Sequence, residues 1–270
     1  MHLSVKRLFV GFSLLTLASC QDVIDVDLNS SNPRYVIEGE INDSAGPYYV
    51  HITRSKNFDE DNNFPVVGDA IVTVTDVEED ITERLQFVDG VYRTSSLSGE
   101  PGHTYHLEVR TADQVFTASS TIPEQVIGID SLYIRSSEWD ANEFFATANY
   151  VDPEGRGNHY RFRQWINGRL MGLSIVTNDD FNDGRLNTLI LDYNIEEDSG
   201  RPPIQTGDHI RVEMQCIDKA VYDYYRTLEN AGGGDGGGWH SPANPVGNIK
   251  GGALGVFNAC SHSFKEIRAE

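Results

Sequence analysis

The chain has 270 residues, with 41 acidic against 21 basic side chains and a formal charge of −20 at pH 7. Such a surface repels phosphate backbones and anionic lipid headgroups alike, which argues against nucleic acid as a partner and leaves membrane attachment to an anchor. Hydrophobic residues at 39% and aromatics at 10% suffice for a packed core, so global disorder is excluded.

The N-terminus begins with a leader. Lys6 and Arg7 precede an apolar run, Leu8 to Leu17, too short to span a bilayer as a helix. Leu17-Ala18-Ser19-Cys20 closes it. This order resembles the lipobox of bacterial lipoproteins, which implies removal of residues 1–19 and acylation of Cys20; the alternative is an ordinary secretory signal with a chance cysteine at its end. Several acyl chains hold a protein on a membrane where one binds only marginally. Residues 20–33 alternate acidic and apolar and read as a lipidated tether. They loosely resemble surface-export signals, and a plain solvated linker accounts for them equally.

From residue 34 to 125 the pattern is strands separated by turn chemistry. Tyr35 to Ile41, Tyr48 to Thr53 and Ala70 to Val77 alternate with period two. Asp89-Gly90 between Leu85–Val88 and Val91–Arg93 is a two-residue hairpin signal. Pro101-Gly102 opens Tyr105 to Val109, and Val115 to Ala118 follows. The spacing predicts a small antiparallel sandwich, similar to an immunoglobulin- or transthyretin-like module. Ile122-Pro123-Glu124 marks the boundary to a second unit, residues 126–270. Its strands are predicted over Phe144 to Tyr150, Tyr160 to Ile166, Leu170 to Val176, Leu186 to Ile195, His209 to Ile217 and Leu254 to Phe257. Asn167-Gly168 is its clearest hairpin turn. One helix is expected over 218–231, with Asp218 as N-cap and Gly232 as stop. The fold class is mainly β, in two β-sandwich-like units, the second a β domain with that helix.

Catalytic templates are missing: there is no Gly-x-Ser-x-Gly elbow and no His-Glu-x-x-His, and no catalytic residue, cofactor or metal is assigned. Gly232 to Gly238 lacks the Lys-Ser/Thr of a phosphate cradle and follows a helix, so it reads as a linker. Asp179, Asp180, Asn182 and Asp183 form an oxygen-rich loop, a calcium candidate set against a solvated acidic loop. Cys216 and Cys260 are either two buried thiols or a disulfide. Trp165, Trp239 and His240 are the aromatics to test for ligand or partner contact, with core burial favoured for Trp165.

The lipobox, Arg34 to Gly39, Val50 to Ser55, Val67 to Asp76, Gly207 to Val212, Tyr222 to Tyr225 and the closing Asn244 to Phe257 together resemble the Bacteroidota lipoproteins grouped as domain of unknown function 4249. The resemblance implies a lipid-anchored outer-membrane lipoprotein serving as a non-enzymatic accessory or ligand-binding subunit of a TonB-dependent receptor; the cell surface is the expected face, with the periplasmic face as the alternative. It supplies no catalytic residues and no ligand. A surface adhesin and an unrecognised β-sandwich hydrolase are the alternatives. The glycines of the closing stretch read as a tight turn into a strand.

Overall fold

The structure is a computed structural model describing residues 33–56, 61, 63–138, 140, 143–192, 203–231 and 244–270, and all counts below are of these residues. Residues 33–270 form one compact unit. Three sheets build it, from β1 (Tyr35–Asn42), β2 (Tyr49–Arg54), β3 (Ile71–Asp76), β4 (Ile81–Arg84), β5 (Gln86–Val88), β6 (Val91–Arg93), β7 (Thr104–Arg110), β8 (Val115–Thr121), β9 (Ser131–Ser136), β10 (Phe144–Val151), β11 (His159–Ile166), β12 (Arg169–Asn178), β13 (Leu186–Leu191), β14 (His209–Ile217), β15 (Leu254–Cys260) and β16 (Ser263–Arg268), with one helix, α1 (Lys219–Ala231), between β14 and β15.

Both predicted hairpin turns are present. Asp89 and Gly90 have φ of 52° and 89°, and Asn167 and Gly168 have 49° and 80°, the left-handed pair that matches strand twist in a two-residue hairpin. They join β5 to β6 and β11 to β12.

A nine-stranded sheet runs β12-β11-β14-β15-β1-β2-β6-β5, with β16 on β14. The four-stranded sheet β4-β3-β7-β8 faces one end of it, and their shared core holds Val72, Leu107 and Phe116 from one side and Ile37, Ile52 and Phe257 from the other. The three-stranded sheet β13-β10-β9 faces the other end, with Ala146, Tyr150 and Leu191 packed on Phe162, Val212 and Met214. Each fully buried Ile, Leu or Phe contributes about 2–3 kcal/mol, so these two cores hold the sheets face to face.

The expected boundary near residue 125 falls where the chain passes from the first core to the second, between β8 and β9. The large sheet nevertheless crosses it. β15 runs parallel to β1, with Val36 opposite Leu254 and Asn42 opposite Cys260, and the same strand then meets β14 at Ile217. β16 continues along β14, Met214 opposite Ser263, so the last residues of the chain stitch the two ends of the sheet together.

Of the two readings of Cys216 and Cys260, the structure has the buried thiols and not the disulfide: both are free and buried. Cys260 lies opposite Ile217 and shares its face of the sheet, whereas Cys216, one residue earlier, points to the other face and into the second core. Side chains aimed to opposite faces cannot bridge.

Candidate functional site

Strand alternation gives the large sheet a second face, away from the two cores. On β11 it presents His159, Arg161, Arg163 and Trp165; on β14, Glu213, Gln215 and Ile217; on β15, Val256, Asn258 and Cys260; on β1, Glu38 and Glu40; on β2, Tyr49 and His51. α1 covers one end of this face. Val221 and Tyr224 pack on Ile217, Val256 and Cys260, with Tyr222, Tyr225 and Leu228 beside them. The helix is set by Asp218, whose Oδ1 accepts from the N–H of Val221 at 2.9 Å, an N-cap as expected. Its Oδ2 accepts from Ser120 Oγ at 2.6 Å and the N–H of Thr121 at 3.1 Å, which ties the start of the helix to β8.

Where the helix ends, the face is polar and concave. A groove of about 410 Å³ lies over β11, β15, β1 and β2, bounded by Tyr225 and by Tyr48 and Tyr49. The charged sheet face in and beneath it is buried: Arg161 and Asn258 of the lining are 7% and 1% exposed, and Glu213 and Gln215 behind them 3% and 0%. Charges at this depth persist only when paired, and these are. Arg163 stands directly opposite Glu213, donating from Nε to Oε1 at 2.9 Å and again from Nη2. Arg161 donates from Nε to Ser174 Oγ at 2.7 Å and from Nη1 to Gln215 Oε1 at 3.1 Å, and its guanidinium lies 3.9 Å from the Tyr225 ring centre. Glu40 sits between the arginines, 3.6 Å from Arg161 and 3.9 Å from Arg163.

His262, at the break between β15 and β16, closes the network. Its Nε2 is 3.1 Å from Glu213 Oε2 and its Nδ1 3.1 Å from Ser44 Oγ, and its N–H donates to Asp43 at 2.7 Å. Burial pushes the Glu213 carboxyl up, but the His262 hydrogen bond and the Arg163 charge outweigh it and hold the group below its ordinary value. The Glu213 hydrogen bond raises His262 in turn. Burial, with the Glu40 and Glu213 charges behind it, lifts the Cys260 thiol well above its usual range, so it is inert as a nucleophile.

Two polar features of this floor are unfinished. Asn258 Oδ1 is buried without a hydrogen-bond partner, and Arg161 Nη2 and Arg163 Nη1, which have no protein acceptor among the described residues, are open to solvent rather than buried. Glu40 is held only by long contacts, 3.3 Å from Gln215 Nε2, 3.5 Å from Asn258 Nδ2 and 3.5 Å from Asn42 Nδ2. Buried polar atoms are normally paired, and Asn258 Oδ1 is the one left open among the described residues that line this groove.

The predicted site residues fall elsewhere or at its edge. Trp165 is half-buried on the groove's own sheet face rather than in a core, with the guanidiniums of Arg163 and Arg211 at 5.3 and 5.5 Å from its ring. Trp239, His240 and Cys20 lie outside the described residues. In the acidic loop, Asp179 and Asp183 converge with Asp152, one oxygen from each within 4.8 Å of the others. Asp180 turns away to accept from Asn178 Nδ2 at 2.7 Å, and Asn182 contributes its backbone to the turn. The three converging carboxylates are already engaged: Asp179 by the N–H groups of Gly157 and Asn158, Asp152 by Gly184 and the Tyr160 hydroxyl, Asp183 by Gly155. A second cluster, Asp76 with Glu78 and His103, is likewise closed, His103 Nδ1 lying 2.9 Å from Asp76. His106 meets Ser119 instead, apart from His103.

Sequence reasoning missed the groove. Arg161, Arg163, Glu213 and Gln215 read as the solvent-facing half of two ordinary alternating strands. The available signal was that both strands are long, with β11 entering the clearest hairpin turn, and long strands inside a sheet rarely leave paired charges in solvent.

Fold and site together define a mainly β protein whose largest sheet carries a charge-paired polar groove beside a single helix. The chain belongs to the family described as Domain of unknown function (DUF4249), whose model matches residues 21–266. No curated protein matches it. Among solved structures, a two-domain fibronectin type-III segment of chicken tenascin is 14% identical, over 70% of this chain and 92% of that chain, with a TM-score of 0.20. At that score the likeness adds nothing to the architecture, which rests on the sheets and cores above. No described helix is long and apolar enough to cross a membrane.

Proposed function

We propose that the protein is a lipid-anchored subunit of the outer membrane that holds a ligand for a TonB-dependent receptor and does no chemistry on it. The groove carries this reading. Its ionisable groups are paired with each other and locked by the sheet, an arrangement suited to recognition. A general acid or base needs a proton-accepting group free to approach its substrate. The leader ending in Cys20 supports the anchor, and the receptor comes from the family resemblance.

The test is an affinity pull-down of the lipidated protein from detergent-solubilised outer membranes, with mass spectrometry of the eluate. A TonB-dependent barrel in stoichiometric yield is expected. Recovery of the protein alone, or only of further copies of itself, would sink the accessory role in favour of a surface adhesin.

A further inference from the structure

The groove's lining narrows the ligand class, on the premise that the groove is the binding site of the reading above. Its unfinished atoms are of both kinds: N–H donors on Arg161 and Arg163 and an acceptor, Asn258 Oδ1, on the same floor. A carboxylate only accepts and an ammonium only donates, whereas a hydroxyl does both. Charge gives a second constraint. The two guanidiniums are already matched by Glu40 and Glu213. A ligand with net charge would enter a compensated, buried network and leave one charge unpaired, which is costly. The mouth adds an aromatic surface: Tyr49 is 44% exposed, its ring on a strand beside the floor. Glu40 stays beside the arginines as their counter-charge and reaches Asn258 only at long range, its Oε2 lying 3.5 Å from Asn258 Nδ2.

We infer that the groove takes a neutral polyhydroxylated ligand of the carbohydrate class, whose hydroxyls bridge the open N–H groups of Arg161 and Arg163 and the Oδ1 of Asn258 while a ring face lies against Tyr49.

The experiment is isothermal titration of the full lipidated chain in a detergent without a sugar headgroup. Maltose, cellobiose, lactose and xylobiose are the probes, with glutarate and spermidine as charged comparisons. At least one disaccharide binds, and Arg163→Lys and Tyr49→Ala each weaken it about ten-fold, the loss of one hydrogen bond or one ring contact. Both variants are conservative or exposed, and thermal melts confirm that they fold. Silence from all four disaccharides overturns the inference, as does binding that neither variant alters. Binding of glutarate or spermidine in their place overturns it too, while leaving a ligand-holding groove. The receptor pull-down reads separately: a receptor recovered without saccharide binding sinks only this inference, and saccharide binding without a receptor sinks only the accessory role.

Discussion

Arg163 and Glu213 face each other across β11 and β14, and their pairing shows what each contributes. Removing one partner of a buried pair leaves the other charged and dry, a cost of about 3–5 kcal/mol, whereas replacing both by apolar residues of similar size is near neutral. Arg163 retains some solvent contact, so Arg163→Met is expected at the lower end, about 3 kcal/mol in urea unfolding at pH 7. The double change Arg163→Met with Glu213→Leu should recover most of that loss, and a double variant no more stable than the single one would contradict the pairing. This pair also marks where sequence reading stopped. Strand period predicted which residues share a face. It gave no measure of depth, because a charged residue on an alternating strand looks the same whether the face meets water or a helix. Asp152 was missed for a related reason. It opens a Pro-Gly turn, where an acid is ordinary, and only the fold brings it to Asp179 and Asp183 across more than twenty residues of sequence.

Among the elements, β15 carries the most consequence per residue. Gly255 has φ of 104°, and a Cβ there would sit 2.0 Å from the carbonyl oxygen of Ile37 on β1. The parallel pairing therefore needs this glycine for both conformation and clearance. Around it the closing stretch is latched. Asn248 accepts from the N–H of Phe257 at 2.9 Å and donates to its carbonyl at 2.7 Å, and Lys250 donates its N–H to Thr117 on β8 at 2.7 Å. Gly255→Ala should cost about 3 kcal/mol or abolish folding, read from thermal melts, since neither a left-handed alanine nor an overlap with backbone relaxes cheaply. A melt within a degree of the parent would refute the latch. Strands and hairpins bounded by local turn chemistry were legible, down to both left-handed turn pairs, and so was the N-cap of α1. Legibility failed where pairing is remote or the strand polar. β4 and β16 are short and rich in charge, and nothing near Leu254 announces that its partner is Val36, more than two hundred residues earlier.

Across the whole molecule, titration links these sites to stability. Three carboxyls, Glu213, Asp76 and Glu83, sit below their ordinary values: burial opposes each ionisation, and hydrogen bonds from His262 with Arg163, from His103, and from the Ser95–Leu97 backbone overcome it. Groups shifted down contribute above their unfolded values, near 4.5, 3.8 and 4.5, and lose that contribution as pH falls through the folded ones. His262 and His103 are shifted up by hydrogen bonds to Glu213 and Asp76, so their contribution is whole below 6.5 and lost as pH rises past it. His159, lowered by burial near Asp179 and Lys219, acts in the other window and costs stability as pH falls below 6.5. The melting temperature should therefore peak near pH 6.5, decline gently towards pH 5 and steeply below pH 4, and fall again by pH 8. The alkaline fall coincides with the full −20 charge and its self-repulsion, so two causes overlap there. Salt separates them. Screening relieves diffuse repulsion between surface charges but reaches the half-buried His262–Glu213 pair far less. At pH 8 and 0.5 M NaCl the remaining deficit belongs to the two histidines, and His262→Asn should remove the part that His103 does not carry. A His262→Asn melt that keeps the same fall between pH 6.5 and 8 at high salt would remove His262 as its cause.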